Sequence, residues 1–312
     1  MKLSLIVPCY NEAENVAAFQ QAAIDAFANC GFSYELIFVD DGSKDATLHE
    51  LRKLYREQKC PVKVVSFSRN FGKEAGIYAG LQQSVGDYVC LIDADLQQRP
   101  ETVLEMVQIL DEKPEFDVVA AYQDRRGEGK LLSFFKKNFY SLINRLSDIQ
   151  LKSDASDFRT FRRSVADSIL TLGEYHRFSK GIFAWVGYNT CYIPYVAQPR
   201  VAGKSKWSFR KLFNYAIEGI IGYSTKPLRI ATFLGVFTAI AALIYLVIVV
   251  LEKLITGIDI PGYATIIVLI LLLGSIQLLC IGIIGEYVGR TFEQSKHRPV
   301  YIPREILNYE EK

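Results

Sequence analysis

Short apolar runs alternate with longer amphipathic stretches through the N-terminal part of the chain. The apolar runs have the length of β-strands, and the stretches between them repeat apolar residues at helical spacing. The predicted strands cover residues 3–7, 35–39, 62–67, 88–92 and 117–121, and the predicted helices cover residues 14–28, 46–57, 74–84 and 101–110. Strands that alternate with helices of this length predict an α/β domain with a mostly parallel sheet.

The pattern changes in the C-terminal third, where two long apolar runs replace the alternation. Residues 230–251 and 263–285 contain no charged side chain, and Gln277 is the strongly polar residue of the second run. Each run is about 22 residues long, which matches the roughly 30 Å hydrocarbon core of a bilayer. We therefore predict two transmembrane helices in a hairpin. A pair of buried core helices is the alternative interpretation.

The charges around the two apolar runs predict their orientation. Lysine and arginine precede the first run and follow the second, whereas the link carries Lys253 against Glu252 and Asp259. The positive-inside rule then puts both termini in the cytosol, with the chain in the cytoplasmic (inner) membrane. The predicted units are a cytosolic α/β domain (1–200), basic juxtamembrane or amphipathic interface helices (201–229), the hairpin (230–285) and a cytosolic tail (286–312).

Composition argues against several other classes of protein. The net charge of +2 is too small to indicate a nucleic-acid partner. Six cysteines and three histidines are scattered without paired spacing, so neither a zinc site nor a disulfide framework is predicted. The first apolar run is short and is interrupted by Pro8, which favours a buried strand over a signal peptide.

The residues that follow the predicted strands are the candidates for chemistry, because ligands of open α/β sheets bind beyond the carboxyl ends of the strands. After the first strand, Pro8 and Tyr10 could enclose a planar base, and Glu12 could accept a hydrogen bond from a ribose hydroxyl. After the second, Asp40 and Asp41 open the segment DDGSKD, in which Asp41 could accept from a base N–H. Ordinary turn and helix-cap chemistry explains the same residues. The chain has no G-x-G-x-x-G motif after the first strand and no P-loop motif, which argues against both of those nucleotide sites.

Two acids, Asp93 and Asp95, follow the fourth predicted strand one residue apart. Carboxylate and phosphate oxygens together suit Mg²⁺ or Mn²⁺, and Gln97 is placed to add a carboxamide oxygen. The pair therefore predicts a metal site for a nucleotide diphosphate, and a hydrated turn is the alternative. Arg69 and Lys73, after the third strand, could contact the nucleotide or could belong to the surface of a helix start.

Several segments carry a family resemblance that spans almost the whole chain. They are IVPCYNEAENV, VDDGSKDAT, FSRNFGKEAGIYAGL, LIDADLQQRPE, SDASDFRTFRR, YHRFSKGIFAWVGY and PRVAGKSKWSFRKL. Together they resemble the family-2 glycosyltransferases of the GT-A (Rossmann-like) fold, and within them the polyprenyl-phosphate glycosyltransferases. The two apolar runs point to the bactoprenol glucosyltransferase branch, which is related to dolichol-phosphate mannose synthase. One departure is QQRP, where the family commonly has Asp or His before the proline in place of Gln98 and Arg99.

The resemblance implies an inverting, metal-dependent hexosyltransferase. Its donor would be a UDP-sugar, with glucose expected and N-acetylglucosamine or mannose as alternatives, and its acceptor would be undecaprenyl phosphate or a similar polyprenyl phosphate. Asp157 of the SDFR motif is implied as the catalytic base or acceptor-orienting residue, together with Asp95 at the metal. A helix-cap aspartate is the alternative for Asp157. Relatives of this kind also suggest a homo-oligomer.

Basic residues are needed to hold a lipid phosphate near the membrane plane. The candidates are Arg125, Arg126, Arg159, Lys204 and Lys206. Attraction to anionic lipid head groups, about 1 kcal/mol for each cation near the surface, is the alternative for residues of this kind. Residues 131–146 place apolar side chains at helical spacing among cations, so this stretch either lies in the membrane interface or packs on the sheet.

Two other classes of protein fit part of the pattern. A processive polysaccharide synthase shares the fold and the acid pair, but it usually carries a Q-x-x-R-W motif and more membrane spans, and this chain has neither. A non-catalytic scaffold would be expected to lose some acids at the strand ends, and all are present. The sequence therefore favours the lipid-linked transferase.

Overall fold

The computed structural model describes residues 2–123, 144–145, 147, 149, 152, 155–196, 198, 219–256 and 262–309. Its strands are β1 (Lys2–Cys9), β2 (Ser33–Asp40), β3 (Val62–Phe67), β4 (Tyr88–Leu91), β5 (Val118–Gln123), β6 (Ala155–Arg162), β7 (Thr190–Tyr195) and β8 (Pro303–Leu307). Its helices are α1 (Val16–Phe27), α2 (Thr47–Glu57), α3 (Lys73–Gln83), α4 (Glu101–Glu112), α5 (Arg163–Leu170), α6 (Ser179–Trp185), α7 (Lys226–Thr256) and α8 (Tyr263–Ser295). Over these residues the strands form one sheet of eight, in the order β7, β5, β6, β4, β1, β2, β3, β8.

The predicted mostly parallel α/β domain is confirmed at the centre of this sheet. β1 lies between β2 and β4 and is parallel to both, and β2 is parallel to β3. β3 and β4 are buried along their whole length, as expected of strands whose two faces are both covered by helices. The parallel pairing brings the carboxyl ends of these four strands to one edge of the sheet, where the predicted site residues follow them.

Strands that the apolar pattern did not predict widen the sheet on both sides. β6 runs antiparallel between β4 and β5, and β7 pairs parallel with β5. The sequence of β6, ASDFRTFR, mixes charged and apolar residues and forms no apolar run. Because Leu91 pairs with Arg159, β6 carries the SDFR motif to the edge at which β4 ends.

The C-terminal tail, predicted as a separate cytosolic segment of residues 286–312, is in part built into the fold. α8 continues to Ser295, and β8 pairs antiparallel with the outer edge of β3. The guanidinium of Arg52 donates to Glu305 Oε2 through Nη2 at 2.6 Å and Nε at 3.0 Å. The tail therefore fastens the end of the hairpin to the sheet.

A buried carboxylate lies beneath this tail. The side chain of Glu35 has no exposed surface, and it accepts hydrogen bonds from Ser4 Oγ at 2.6 Å and Tyr309 Oη at 3.0 Å. Lys63 Nζ lies 3.1 Å from the same carboxylate. Burial acts to raise the pKa of Glu35, but Ser4 and the charge of Lys63 outweigh burial and keep the pKa below its usual value. The charge is tolerated inside because it is paired and hydrogen-bonded.

Apolar layers cover both faces of the sheet. One layer packs α1 and α4 on the sheet through Phe19 and Met106. The other packs α3, α5 and α6 through Ile77, Val165 and Ile182. Burying one side chain of this size stabilises a fold by roughly 1.5–3 kcal/mol, so the two layers together hold the strand ends in fixed positions.

The two C-terminal helices, α7 and α8, are long and apolar enough to cross a membrane over Lys226–Glu252 and Val268–Ser295. Both helices extend beyond the predicted hairpin of residues 230–285, because the polar residues that flank the apolar runs continue the same helices. Many of their large apolar side chains are exposed, which is the surface that a bilayer would cover. Tyr287 Oη donates to the carbonyl of Ser224 at 2.6 Å and so joins the two helices at the end near the domain.

Candidate active site

The loops that follow β1 and β2 are hydrogen-bonded to each other. Because Cys9 pairs with Asp40, the two segments leave the sheet side by side. The N–H of Asn11 donates to Ser43 Oγ at 2.9 Å, and the N–H of Lys44 donates to Asn11 Oδ1 at 2.9 Å. The candidate nucleotide-binding residues of both loops are therefore brought together.

Pro8, Tyr10 and Glu12 are half-buried where β1 ends. The carboxylate of Glu12 accepts from Asn15 Nδ2 at 2.6 Å, and the backbone N–H of Glu12 donates to Thr47 Oγ1 at 2.8 Å. These contacts fix the loop against α1 and α2. The contact of the three side chains with a nucleotide stays a prediction.

Asp41 holds the loop that follows β3. Its carboxylate accepts from the N–H groups of Phe71 at 2.6 Å and Gly72 at 2.9 Å, and from Asn70 Nδ2 at 2.8 Å. Burial raises the pKa of Asp41 to about 6, although the two backbone donors act in the opposite direction. Asp41 is therefore a fixed, mostly ionised acceptor near neutral pH, and its contact with a base stays a prediction.

Gly42 permits the close approach of these two loops. Its φ is +61°, and a Cβ at this position would lie 2.4 Å from the backbone carbonyl carbon of Arg69. Glycine satisfies both demands, since it adopts positive φ readily and has no Cβ. The guanidinium of Arg69 stacks 4.0 Å from the ring centre of Phe71, at the edge of the cleft.

The turn after β4 carries the two acids and is fixed by Gln98. The buried side chain of Gln98 accepts from the N–H of Asp93 at 3.1 Å and donates to Ser156 Oγ at 3.2 Å. The N–H of Gln97 donates to Asp95 Oδ1 at 3.2 Å. Gln98, the residue that departs from the family pattern, therefore ties the acid turn to β6.

The oxygen donors at this turn suit a divalent cation that also binds substrate phosphates. Within the described ranges, no group of three or more His, Cys, Asp or Glu side chains could hold a metal ion. Mg²⁺ usually takes one or two carboxylates from a protein, and phosphates and water complete its octahedron. Asp93 and Asp95 fit this pattern, with Gln97 as a further oxygen donor, and the ion itself stays a prediction.

Lys73 links the acid turn to Asp157. Its Nζ lies 2.7 Å from Asp93 Oδ1 and 3.0 Å from Asp157 Oδ2. The three side chains are 42%, 36% and 24% exposed, so they line a cleft that solvent reaches. Burial acts to lower the pKa of Lys73, but the two carboxylates outweigh burial and hold the pKa above its usual value. Lys73 is therefore a permanent positive charge between two acids.

The second oxygen of Asp157 has no hydrogen-bond partner among the described residues. Oδ1 is buried and accepts no hydrogen bond from the residues that the structure describes, whereas Oδ2 contacts Lys73. Burial acts to raise the pKa of Asp157, but Lys73, Lys180 and Arg159 outweigh burial and keep the pKa below its usual range. Buried acceptors are rarely left without a donor, so this ionised oxygen is suited to a donor from a substrate.

Two charged neighbours of this cluster were not predicted as site residues. Glu74 accepts from the N–H of Ser179 at 2.9 Å and from the Ser179 hydroxyl, and burial raises its pKa to about 7. Lys180 lies near Asp157, and burial lowers the pKa of this lysine. Both residues fall inside quoted motifs, but spacing along the chain does not show that residues 179–180 fold onto α3.

Two residues predicted for the site are buried. Asp40 is 1% exposed and accepts from Ser66 Oγ at 2.8 Å, so it holds β2 to β3. Arg159 is 6% exposed, donates to the carbonyl of Ser156 at 2.9 Å and stacks 4.1 Å from the ring centre of Phe183. Both side chains are therefore held by neighbouring protein groups, and their contact with a nucleotide or a lipid phosphate stays a prediction.

The remaining predicted residues lie outside the described part of the chain. These are Arg125, Arg126, Lys204 and Lys206, together with residues 131–146 apart from 144–145. Their assignment to the lipid phosphate and to the membrane interface stays a prediction.

The fold and the site together define a class of protein. An α/β domain carries an acidic cleft at the carboxyl ends of its parallel strands, and a pair of helices able to cross a membrane follows it. The chain matches the family model described as Glycosyl transferase family 2 over residues 4–170, and the model described as GtrB C-terminal hairpin over residues 226–291.

The sequence relatives agree with these matches. The chain is 39% identical to an uncharacterized glycosyltransferase of Synechocystis, over 99% of this chain and 97% of the relative. It is also 39% identical to the putative glycosyltransferase CsbB of Bacillus subtilis, over 97% and 91% of the two chains, and to the bactoprenol glucosyl transferase of Shigella phage SfV, over 97% and 98%. The chain belongs to glycosyl transferase family 2, and the predicted family, fold and enzyme class are confirmed.

Solved structures align more loosely. Glucosyl-3-phosphoglycerate synthase from Mycobacterium tuberculosis, in complex with Mn²⁺, UDP-glucose and phosphoglyceric acid, is 19% identical with a TM-score of 0.46, over 70% of this chain and 77% of that chain. The family assignment therefore rests on the sequence matches.

Proposed function

We propose that this chain transfers glucose from UDP-glucose to a polyprenyl phosphate at the cytoplasmic face of the inner membrane, with inversion at the anomeric carbon. The relatives named bactoprenol glucosyl transferase support this substrate pair. The observation that carries the proposal is Asp157, an ionised carboxylate beside Lys73 and the acid turn, with one buried oxygen that no described residue contacts by a hydrogen bond. This cluster lies in a chain that also has a hairpin able to enter the bilayer that contains the acceptor.

The donor would lie across the ends of β1, β2 and β4. Tyr10 and Asp41 would contact the uracil, and Glu12 would accept from a ribose hydroxyl. Asp93 and Asp95, with Gln97, would hold Mg²⁺ or Mn²⁺ against the diphosphate. When bound, such an ion neutralises the charge that develops on the leaving diphosphate.

The reaction needs one bond to form and one to break. A phosphate oxygen of the lipid bonds to C1 of the sugar, while the bond from C1 to the β-phosphate oxygen of UDP breaks and its electron pair leaves with UDP. A phosphate monoester has a second pKa near about 6, so the attacking group is mostly dianionic at neutral pH and little proton removal is required. Asp157 would therefore orient the acceptor or a sugar hydroxyl, and Lys73 would reduce repulsion between the anions.

The proposed orientation places the domain and both termini in the cytosol, as the flanking lysines and arginines favour. A polyprenyl phosphate whose head group lies on that face could then place its phosphate in the cleft at the strand ends while its hydrocarbon chain stays in the membrane. A homo-oligomer is part of the proposal.

Transfer into the organic phase tests this function. Membranes that contain the protein are incubated with undecaprenyl phosphate, Mg²⁺ or Mn²⁺, and a panel of labelled UDP-sugars, and label is counted in the organic extract. Asp93→Asn and Asp95→Asn are assayed in parallel. Asp25→Asn, on the exposed face of α1, is the matched control for loss of one carboxylate.

We expect metal-dependent transfer of glucose that both cleft variants lose and the control keeps. Chelation with EDTA should abolish transfer, and added Mg²⁺ or Mn²⁺ should restore it. Organic-phase label from a different sugar would correct the donor only. Absence of such label with every donor, in protein that still binds UDP, would refute the lipid acceptor.

A further inference from the structure

A large cavity lies where the α/β domain meets the hairpin. Its volume is about 1190 Å³, and its walls are residues 69–75, residues 173–178, the segment 221–223 before α7 and the last turns of α8. Ordinary small-molecule pockets measure roughly 300–1,000 Å³. The cavity is therefore large enough for a phosphate together with part of a hydrocarbon chain.

Lys73 and Arg290 are two of the cations that line this cavity. Lys73 lines the side next to Asp93 and Asp157, which it contacts at 2.7 Å and 3.0 Å. Arg290 belongs to the part of the wall formed by α8, near the end of the membrane-spanning segment. Arg290 is half-buried and makes no hydrogen bond or ion pair with the residues that the structure describes. A guanidinium without a carboxylate partner is well suited to a phosphate, which it can bind through two donors.

The acidic residues of the cavity wall already have donors. Glu74 accepts from Ser179, and Glu174 accepts from Tyr223 Oη at 3.4 Å. Phe178 adds an aromatic side chain to the wall. The cavity therefore combines cations that can take an anion with apolar surface that can take a lipid chain.

The wall segment 173–176 is hydrogen-bonded to the end of α8. Gln294 donates to the carbonyl of Gly173 at 2.9 Å and accepts from the N–H of Tyr175 at 2.8 Å. His176 also contacts the carboxylate of Glu293. These contacts hold the cavity open beside the membrane-spanning helix.

We propose that this cavity is the acceptor site, in which Arg290 anchors the phosphate of the polyprenyl phosphate before it reaches Lys73. The inference rests on the proposed function and adds the place and the anchoring residue. The walls include the last turns of α8 and the segment just before α7, so a lipid whose head group leaves the bilayer beside these helices enters here. Of the described residues, Tyr10, Asp41 and Asp95 do not line the cavity. The cavity is therefore distinct from the part of the proposed donor site that these three residues form, and it meets that site at Lys73.

Substitution of Arg290 tests the inference with two kinetic readouts. Arg290→Ala, Arg290→Lys and the control Lys296→Ala are compared for the KM of undecaprenyl phosphate and the KM of UDP-glucose. Lys296 is an exposed cation beyond the last turn of α8 and does not line the cavity. Loss of a charge-assisted hydrogen bond should raise the lipid KM of Arg290→Ala about tenfold and leave the donor KM unchanged. Arg290→Lys should recover part of this loss, and the control should resemble the parent.

A second arm uses no donor. A benzophenone-labelled polyprenyl phosphate is crosslinked to the parent protein, and the labelled peptides are identified with and without competing undecaprenyl phosphate. Competed label on the cavity wall supports the inference, and label confined to other surfaces overturns it. An unchanged lipid KM in Arg290→Ala, in a parent that transfers sugar to lipid, also overturns the inference while the proposed function stands. If the parent transfers no sugar to lipid, the proposed function fails and the crosslinked peptides alone decide whether this cavity binds a lipid phosphate.

Discussion

Replacing Lys73 by methionine separates what this cation does for the fold from what it does for the reaction. The change removes the charge and keeps a side chain of similar length. Lys73 is 42% exposed and its partners Asp93 and Asp157 are 36% and 24% exposed. Ion pairs at solvent-exposed positions contribute roughly 0–1 kcal/mol each, so we expect the free energy of unfolding to fall by no more than about 1–2 kcal/mol.

The effect on turnover should be much larger. The same charge lies between two carboxylates, beside the site at which two phosphates are proposed to meet. Loss of one such electrostatic group typically lowers kcat by about 10²–10³. Initial rates of label transfer at saturating substrates, with thermal melting of the detergent-solubilised protein, measure the two effects separately. Lys53→Met, on the exposed surface of α2, is the control. A Lys73→Met protein that melts far below the parent and keeps most of its kcat would refute the reasoning and make Lys73 a structural residue.

Three further predictions concern stability, and thermal or denaturant melts in detergent check them all. Because the pKa of Asp41 in the folded protein is raised to about 6, the folded protein retains a proton that the unfolded chain releases near pH 4, so the contribution of Asp41 to stability should fall by on the order of 2–3 kcal/mol between about pH 4 and pH 6. The free energy of unfolding of the parent minus that of Asp41→Asn should fall by this amount over the same range, and a difference that does not change with pH would contradict the assignment to Asp41. Gly42→Ala should lower the free energy of unfolding by about 2–4 kcal/mol, because the new Cβ meets both a positive φ and a backbone clash. Gly31 also has a positive φ but no atom within 4 Å of the position that a Cβ would take, so Gly31→Ala should lower it by about 1 kcal/mol. Equal losses in the two variants would contradict the clash at Gly42. Glu35→Gln should lower the free energy of unfolding by about 3–5 kcal/mol, because it leaves the charge of the buried Lys63 without a carboxylate. The double variant Glu35→Gln with Lys63→Met should recover part of that loss. No recovery would show that the hydrogen bonds of Glu35 matter more than its charge.

The inner part of the sheet follows from sequence because each of its strands is a mostly apolar run. β6 and β8 escape the same reasoning for a physical reason. β6 contains charged residues that find partners inside the fold, such as Arg159 on the carbonyl of Ser156. β8 is an edge strand with one paired side, so it needs no apolar run. Both segments form strands because they pair with strands that are distant in the sequence, and the hydrophobic periodicity of a short segment does not reveal such pairing.

The candidate site also has one part that a short sequence motif shows and another that depends on the fold. Asp93 and Asp95 are neighbours in the chain, so their shared chemistry is visible in a short motif. Lys73 and Asp157 are 84 residues apart, and their contact depends on β6 lying beside β4. Gln98 is a residue whose structural role the family pattern does not show. It departs from the family pattern at the donor pocket, yet its buried amide fixes the turn that carries both acids.

The segment 173–180 is hydrogen-bonded to α8 at one end and to the start of α3 at the other. At one end, Gly173 and Tyr175 are hydrogen-bonded to Gln294 of α8. At the other end, Ser179 holds Glu74 in the same wall as Lys73. A shift of α8 along its axis must therefore either break the contacts of Gln294 or move the segment that positions this wall. In the proposed function the hairpin would therefore do more than retain the enzyme at the membrane, because it would also set the height of the cleft above the bilayer.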